Sequence, residues 1–527
     1  CGAEAQINAA SFSASTLDIE PLDFSNANDV TLRNFDTNSL DSSIINFGAI
    51  SVKDTGLVSL IAPQVVNEGV ISAKLGKVQL ASGTSATLDL SGDGLLNIAL
   101  DEKAAGIIKN TGTIEGQNIR IGGGVASSFV NSIVNIDGFV QATGFDQDSS
   151  VEIQSSGDVF VNGIISSSES NTVDNGGSIK ILGNRIALED EARIISSGSN
   201  SGGEILVGGN YLGKGPEPNA SATVILDGAE ITADALNSGD GGRVIVWSDD
   251  YTNFQGSISA KGSETGLGGF VETSSKNNLQ AFGSVNAGGG LGGGTYLLDP
   301  ADVEITESVD NNFNTSGTPN LFDPTGGTAK ISNDTILASL AATNVFITTF
   351  NGAGEDGDIT VSADITYTGS NDRIFQLVAA DKIIVNKSIK STGSGSLNVY
   401  FNAQGNITVG SGTAANVQIV TQGGVFEVTG ANDLGQGFMG STSNGAGSFT
   451  SHTDTLIDTS GKDNGAGGAI KIKADIRNPG SGATILILAD RQRLFGGSLG
   501  YSRLDGGHNG GRHRIQGRRF EDHLPEQ

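Results

Sequence analysis

Three short stretches in the C-terminal half of the chain repeat at a fixed spacing: Gly357-Asp-Ile-Thr-Val361, Asp381-Lys-Ile-Ile-Val385 and Gly405-Asn-Ile-Thr-Val409. Each begins 24 residues after the one before it. Apolar β-branched residues alternate with polar ones, so one face of each strand is apolar and the other is polar. A repeat of this length, with several short strands in each period, predicts that each period is one coil of a solenoid, with equivalent isoleucines stacked in a column.

The rest of the chain carries related repeats. Asn46-Phe-Gly48-Ala-Ile50 is followed 21 residues later by Asn67-Glu-Gly69-Val-Ile71. A β-sandwich also has short strands bounded by turn residues, but it does not explain repeats in register at 21 or 24. We therefore predict an all-β fold, a right-handed parallel β-helix of pectin-lyase-like architecture. In the middle of the chain a glycine pair stands just before each predicted strand. These pairs are Gly176-Gly177, Gly202-Gly203, Gly241-Gly242 and Gly268-Gly269.

The composition excludes several kinds of chemistry. Among 527 residues there are 78 Gly, one Cys and four His, and the net charge is −28. One Cys rules out a disulfide framework and Cys-based metal sites, and the acidic balance argues against nucleic-acid binding. No apolar run reaches the ~18 residues of a membrane helix, and the only segment with a hint of helical period is 335–342. We expect no catalytic residues, no cofactor, no metal, no nucleic-acid partner and no membrane span.

Residues 176–305 contain a specific combination of motifs: Gly239-Asp-Gly-Gly-Arg-Val-Ile-Val-Trp247, Gly268-Gly-Phe-Val-Glu272 and Leu297-Leu-Asp-Pro300. The combination resembles the filamentous-haemagglutinin-like large exoproteins of two-partner secretion, the haemagglutination activity domain family of Gram-negative bacteria. The positions that carry this resemblance, all expected to be structural, are Asn67, Gly69, Gly239, Asp240, Gly241, Gly242, Trp247, Gly268, Gly269, Glu272, Leu297, Leu298, Asp299 and Pro300.

The resemblance implies a secreted or surface-displayed adhesin, a non-enzymatic filamentous rod that mediates attachment to a receptor the sequence does not identify. Its partner would be an outer-membrane β-barrel transporter, reached through the periplasm. It also implies that residues 1–40 end a secretion domain and that 41–300 form a first solenoid segment, ending at the Leu-Leu-Asp-Pro element. Residues 301–489 would form a second segment, and 490–527 an atypical basic tail, expected to be disordered.

Other interpretations of the whole chain stay open. The family's signal peptide and Asn-Pro-Asn-Gly motif are not seen and the only Met is Met439, so the chain looks like a fragment; the alternative is a mature lipoprotein that begins at Cys1. The chain could be the stem of a contact-dependent toxin-delivery exoprotein. It could also be a β-helix polysaccharide-active enzyme, although no cluster of carboxylates with Arg or Lys can be placed from the sequence.

Several individual features have both a functional and a structural interpretation, and the structural one is favoured. Trp247 could bind a ligand or pack at a corner, and Asp299-Pro300 could be a processing site or a turn. Residues 288–294 could suggest a phosphate loop but lack the Lys and helix that should follow. Residues 352–358 could bind calcium or form a solvated turn. Alternation places three lysines on the outer face: Lys180, Lys471 and Lys473.

Overall fold

The structure is a computed structural model that describes residues 1–19, 29–33, 42–83, 85–89, 106–123, 133–143, 149–167, 175–307, 313–314, 320–324, 328–350, 356–410, 416–433, 439–441, 446–462, 466–477 and 485–489. The predicted basic tail, 490–527, lies outside these residues. The chain divides into two compact units. Unit 1 is Cys1–Tyr296 with Asn312–Gly327, and unit 2 is Leu297–Asn311 with Thr328–Gln527.

The described residues are almost entirely in short β-strands, with one α-helix, α1 (Asn333–Leu340), and a 3-10 turn at Tyr211–Gly213. The strands, in chain order, are β1 Gln6–Ala9, β2 Phe12–Ser15, β3 Asp18–Ile19, β4 Asp29–Arg33, β5 Ser43–Asn46, β6 Ala49–Val52, β7 Leu57–Ala62, β8 Gln64–Asn67, β9 Val70–Ser82, β10 Ser85–Asp89, β11 Ile107–Asn110, β12 Thr113–Gly123, β13 Ile133–Ile136, β14 Phe139–Ala142, β15 Ser150–Ser155, β16 Asp158–Val161, β17 Ile164–Ser167, β18 Ser178–Leu182, β19 Arg185–Leu188, β20 Arg193–Ile195, β21 Glu204–Val207, β22 Ala222–Ile225, β23 Glu230–Thr232, β24 Arg243–Val246, β25 Tyr251–Phe254, β26 Ser257–Ser259, β27 Phe270–Thr273, β28 Asn278–Ala281, β29 Ser284–Asn286, β30 Thr295–Leu298, β31 Val303–Thr306, β32 Phe313–Asn314, β33 Asn320–Pro324, β34 Ala329–Ser332, β35 Asn344–Thr348, β36 Ile359–Val361, β37 Ile365–Tyr367, β38 Arg373–Ala379, β39 Ile383–Val385, β40 Ile389–Ser391, β41 Leu397–Ala403, β42 Ile407–Val409, β43 Val417–Val420, β44 Phe426–Asp433, β45 Met439–Ser441, β46 Ser448–Ser451, β47 Thr455–Asp458, β48 Ile470–Ile472, β49 Asp475–Arg477 and β50 Ile485–Leu488.

Unit 1 winds in coils of three strands each. Strands β16, β17 and β18 make one coil, and β19, β20 and β21 make the next, each pairing in parallel with its equivalent. Ile165 lies opposite Ile194, and Ile179 opposite Ile205, and all four side chains are fully buried. Because backbone hydrogen bonds run between coils while apolar columns fill the interior, the predicted parallel β-helix is confirmed.

Unit 2 repeats the three-strand coil with the predicted 24-residue register. Ile359 pairs with Ile383 and Ile383 with Ile407, and all three are fully buried. Aromatic rings also stack from coil to coil in the core, where the ring centres of Phe401 and Phe426 lie 5.5 Å apart, edge to face. The spacing read from the sequence is therefore the spacing of the coils.

Helix α1 begins after Ser332, whose Oγ accepts a hydrogen bond from the Asp334 amide at 3.1 Å. This is the usual way to satisfy an amide at a helix start. Ile336 and Leu340 are buried, and the helix contacts β35 and β37. Since β37 is the first strand of its five-stranded sheet, α1 covers a strand edge that would otherwise be open to pairing.

Two elements of unit 1 stand outside the parallel columns. Strands β3, β4 and β10 form a small antiparallel sheet. Strands β32 and β33 form an antiparallel hairpin, from which Phe322 packs on Phe160 with ring centres 6.2 Å apart. The Arg185 guanidinium lies 4.9 Å from the Phe322 ring centre. Neither element follows from the repeat pattern, and the boundaries predicted at 40, 300 and 489 stay predictions.

Candidate functional site

The glycine pairs predicted from the repeats come together along one side of unit 1 and form the floor of a groove. The groove has a volume of about 780 Å³ and crosses the start of β18, β21, β24, β27 and β30. We call it the glycine groove. Its floor includes the predicted residues Asp240, Gly241, Gly242, Gly268 and Gly269, and its remaining side chains are Ser178, Glu204, Arg243, Leu267, Phe270 and Thr295.

The glycines of the groove are required by close stacking of the coils. A Cβ atom on Gly242 would lie 2.3 Å from the carbonyl oxygen of Gly203, and one on Gly269 would lie 2.1 Å from that of Gly242. Gly239, just before the pair, has a φ of +76°, in the left-handed region that favours glycine. Any larger side chain at these positions would push neighbouring coils apart.

The backbone amides of the groove floor are engaged between neighbouring loops. The Gly202 amide donates to the Asp240 carbonyl oxygen at 3.1 Å, and the Gly241 amide donates to the Leu267 carbonyl oxygen at 2.9 Å. One coil further, the Gly268 amide donates to the Gly292 carbonyl oxygen at 3.0 Å. A molecule in the groove would therefore meet a flat backbone surface and the side chains of the walls.

The charged side chains of the groove are paired with protein groups. Arg243 forms an ion pair with Glu204 at 2.6 Å, and its guanidinium lies 5.8 Å from the ring centre of Tyr211. Tyr211 in turn meets Phe270 edge to face at 5.7 Å. The Asp240 carboxylate accepts a hydrogen bond from the Leu267 amide at 2.7 Å. The wall thus combines an internally neutralised ion pair with aromatic surface.

A loop of residues 208–220, the flap, covers the outer face of the sheet beside the groove. Beneath it Trp247 is only 3 % exposed and packs with Leu206 and Ile245. The approach is so close that a Cβ on Gly213 would lie 2.4 Å from the Trp247 ring. Trp247 is therefore a packing residue at this position, held under the flap.

The flap is held by polar contacts to the coils below it and by one within itself. The Lys180 ammonium forms an ion pair with Glu217 at 2.6 Å, and Asn210 donates to the same carboxylate at 2.8 Å. Burial raises the pKa of Glu217, but the hydrogen bonds from Lys180 and Asn210 outweigh it and hold that pKa below its usual range. Leu212, in the left-handed region with a φ of +55°, donates its amide to the buried carboxylate of Glu272 at 3.2 Å.

Asn67 and Gly69 lie in the first coils of unit 1 and not in the groove. Asn67 is fully buried in a column of asparagines, accepting a hydrogen bond from Asn46 and donating one to Asn110, both at 2.8 Å. A Cβ on Gly69 would lie 2.1 Å from the Gly48 carbonyl oxygen. Both residues hold successive turns in register.

The Leu-Leu-Asp-Pro element belongs to unit 2 and is likewise separate from the groove. Leu297, Leu298 and Asp299 are almost fully buried, and Asp299 accepts a hydrogen bond from the Thr348 hydroxyl. Pro300 follows in a buried position at the end of β30. The element therefore lies in the interior of unit 2.

The calcium hypothesis for 352–358 falls partly on residues 351–355, which lie outside the described part of the chain. The Asp358 carboxylate accepts the Lys382 amide at 3.0 Å and pairs with its ammonium at 3.4 Å. Within the described ranges no group of three or more His, Cys, Asp or Glu could hold a metal ion.

Among those same residues, no helix has both the length and the apolar character needed to cross a membrane.

Arg243, Leu267 and Phe270 were not among the residues singled out from the sequence. The pattern contains a usable sign of Arg243 and Phe270, because the residue just after each glycine pair falls at the same place in every coil. Paired strands put these positions in one outward column, in which Glu204 faces Arg243 and Arg243 faces Phe270. Leu267 lies on the loop before its glycine pair, and no repeated position in the sequence points to it.

Comparison with known proteins finds a likeness at the level of solved structures. No family model matches the chain, and no curated protein matches it. A solved structure described as the HMW1 secretion domain from Haemophilus influenzae is similar over 56 % of this chain and 77 % of that chain, with 29 % identity and a TM-score of 0.45.

Proposed function

We propose that this protein is a filamentous-haemagglutinin-like adhesin of a Gram-negative bacterium, exported by two-partner secretion and displayed on or released from the cell surface. Its export partner is an outer-membrane β-barrel transporter, and its role is non-enzymatic attachment to cells or surfaces. The observation that supports this most is the family's motif set, which falls on consecutive coils of a parallel β-helix between Gly202 and Pro300.

The physical character of the chain suits export followed by folding outside the cell. A single Cys leaves no intramolecular disulfide to block passage as an unfolded chain, and a net charge of −28 favours solubility after release. Each coil contacts its neighbours through local repeats, so coils can stack one after another as the chain emerges.

A non-enzymatic role is supported by the state of the acidic residues in the glycine groove. The Glu204 carboxylate is engaged by Arg243, and the Asp240 carboxylate by the Leu267 amide. A glycoside-cleaving site requires one carboxyl group that gives up a proton and another that acts as base or nucleophile. Both groove carboxylates instead serve the contacts between coils.

Attachment is tested by coating beads with the purified chain and measuring adherence to cultured epithelial cells and agglutination of erythrocytes. Beads carrying the same mass of heat-unfolded chain are the control. We expect folded-chain beads to adhere well above the control. Two results together would contradict the adhesin proposal and favour a polysaccharide-active enzyme. They are adherence equal to the control on every surface tried, and release of reducing or unsaturated ends from polysaccharides.

Export is tested separately, by expressing the full-length gene in a Gram-negative host with and without its paired outer-membrane transporter. Protease added to intact cells should degrade this chain only when the transporter is present. Surface exposure that does not depend on the transporter would contradict the two-partner route while leaving the attachment result intact.

A further inference from the structure

The glycine groove is an open trough across successive coils of unit 1, and we propose that it binds a neutral linear glycan. This inference rests on the attachment role proposed above and names the chemical class of surface molecule that this part of unit 1 recognises. It concerns the outer surface formed by Ser178, Glu204, Arg243, Phe270 and Thr295, with Leu267 beside them.

The groove is built for a long, narrow ligand. It crosses five successive coils, and strands spaced by about 4.8 Å give it a length of roughly 19 Å. Its volume is about 780 Å³, and it is open to solvent along its length, so a bound chain would keep one side exposed. Among the described floor residues Asp240 is the one with a side chain, and its carboxylate accepts the Leu267 amide; because the other floor residues are glycines, a flat sugar ring could lie against them.

An extended peptide is a poorer match than a glycan. Strand addition gains its affinity from main-chain hydrogen bonds to an open sheet edge. Here the floor amides of Gly202, Gly241 and Gly268 already donate to carbonyl oxygens of the adjoining loops. A ligand must instead use contact with the flat floor and hydrogen bonds to wall side chains, which suits the hydroxyl groups and apolar ring faces of a sugar.

The charges of the groove favour binding of a neutral glycan and disfavour binding of an acidic one. Arg243 is the one cationic side chain among the lining residues that the structure describes, and it is neutralised by Glu204 at 2.6 Å. An acidic polymer would also meet Asp240. Binding a polyanion gains affinity mainly by pairing its charges with cations, which this groove does not supply.

Apolar contact is provided by two side chains that line the groove. Phe270 projects from β27 beside Tyr211. Leu267 is 49 % exposed although it is a large apolar residue, and it lines the groove. Leu291, on the next loop, is 68 % exposed but does not line the groove, so it provides a matched control.

The test is affinity electrophoresis of the full chain through gels containing soluble β-glucan, galactomannan or dextran, with polygalacturonate and heparin as acidic probes. Binding constants are then measured by calorimetry with oligosaccharides of the polymer that retards the chain. We expect at least one neutral polymer to retard the chain and the acidic ones to have no effect. Leu267→Ala should weaken binding about tenfold, the loss of one well-buried contact, and Leu291→Ala should leave it unchanged.

Thr295→Trp gives a second, independent variant, since a large ring at that position would fill one end of the groove and shorten the bound segment. Circular dichroism and melting temperatures equal to those of the wild type show that the variants are folded. Retardation only by acidic polymers, no retardation by any probe, or equal binding by the Leu267 and Leu291 variants would overturn the inference. Cell attachment that persists alongside such a result leaves the adhesin proposal standing, whereas absent attachment contradicts that proposal itself.

Discussion

Replacing Asn67 with alanine tests how strongly the buried asparagine column holds the first coils together. The Asn67 Oδ1 accepts from Asn46 Nδ2, and its Nδ2 donates to Asn110 Oδ1, both at 2.8 Å. Asn67→Ala leaves a buried donor on one neighbour and a buried acceptor on the other. Each unpaired buried group costs about 1–3 kcal/mol, so we expect the coils around Asn67 to lose about 2–6 kcal/mol of stability.

The measurement must be local, because a solenoid opens in segments and a single melting curve averages over them. Hydrogen exchange followed by mass spectrometry reports the opening free energy of peptides that cover residues 64–73. In Asn67→Ala the opening free energy of these peptides should fall by about 2–6 kcal/mol. Peptides that cover β39 and β42 in unit 2 should exchange at the wild-type rate and serve as an internal control.

A triple replacement separates unpaired polar groups from lost volume. Changing Asn46, Asn67 and Asn110 together to leucine removes all the side-chain partners of the column at once and leaves the Gly48 amide, which donates to Asn46, without that acceptor. The next coil already has an apolar residue, Ile136, opposite Asn110. Removal of a whole polar set is close to neutral when shape is kept, so the triple variant should be more stable than Asn67→Ala. A cost below about 1 kcal/mol for the single variant, or a triple variant that is less stable than the single, would refute the reasoning.

Three further predictions concern Gly69 in the first coils, Glu217 in the flap and Tyr251 on β25. Gly69→Ala should cost about 1–3 kcal/mol because its Cβ would press on the coil before it, while Gly122→Ala, with 3.5 Å of clearance, should be tolerated in the same exchange experiment. The lowered pKa of Glu217 implies a stability contribution that is present above its ordinary pKa of 4.5 and is lost as pH falls through the lower folded value, so Trp247 fluorescence should change there and Glu217→Gln should remove that step. Burial raises the pKa of Tyr251 to about 12, so its stabilising effect should be present below pH 10 and be lost toward pH 12, which absorbance at 295 nm in wild type and Tyr251→Phe would reveal.

The coils could be predicted from the sequence because their cause is local and repeated. Inward isoleucines at a constant interval, such as Ile359 and Ile383, record the period directly, and glycine pairs mark where neighbouring loops touch. The helix α1 is more weakly marked, since only residues 335–342 carry a helical period. Its role as a cover for β37 depends on which strand lies at the sheet edge, and sequence pattern does not state that.

The flap and the hairpin could not be predicted because their partners are remote in the chain. One sign was present, however. A strand with one face in water alternates apolar and polar residues, whereas a strand covered on both sides is apolar throughout. The runs Ile205-Leu-Val207 and Val244-Ile-Val246 are of the second kind, and their middle residues are the ones buried under the flap beside Trp247. An unbroken apolar run in a solenoid thus indicates that something covers the outer face.

The few cations of this acidic chain act together as markers of register. With 30 basic residues against 58 acidic ones, almost half of the carboxylates cannot have a cationic partner of their own. Exposed ion pairs contribute only about 0–1 kcal/mol each, so the pairs add little to stability. Their value is specificity, because a slip of one residue turns each cation to the opposite face of its strand. In five of the ion pairs the two residues lie directly opposite each other on paired strands of neighbouring coils. They are Arg120–Glu152, Arg185–Asp158, Arg193–Glu230, Arg243–Glu204 and Lys471–Glu427.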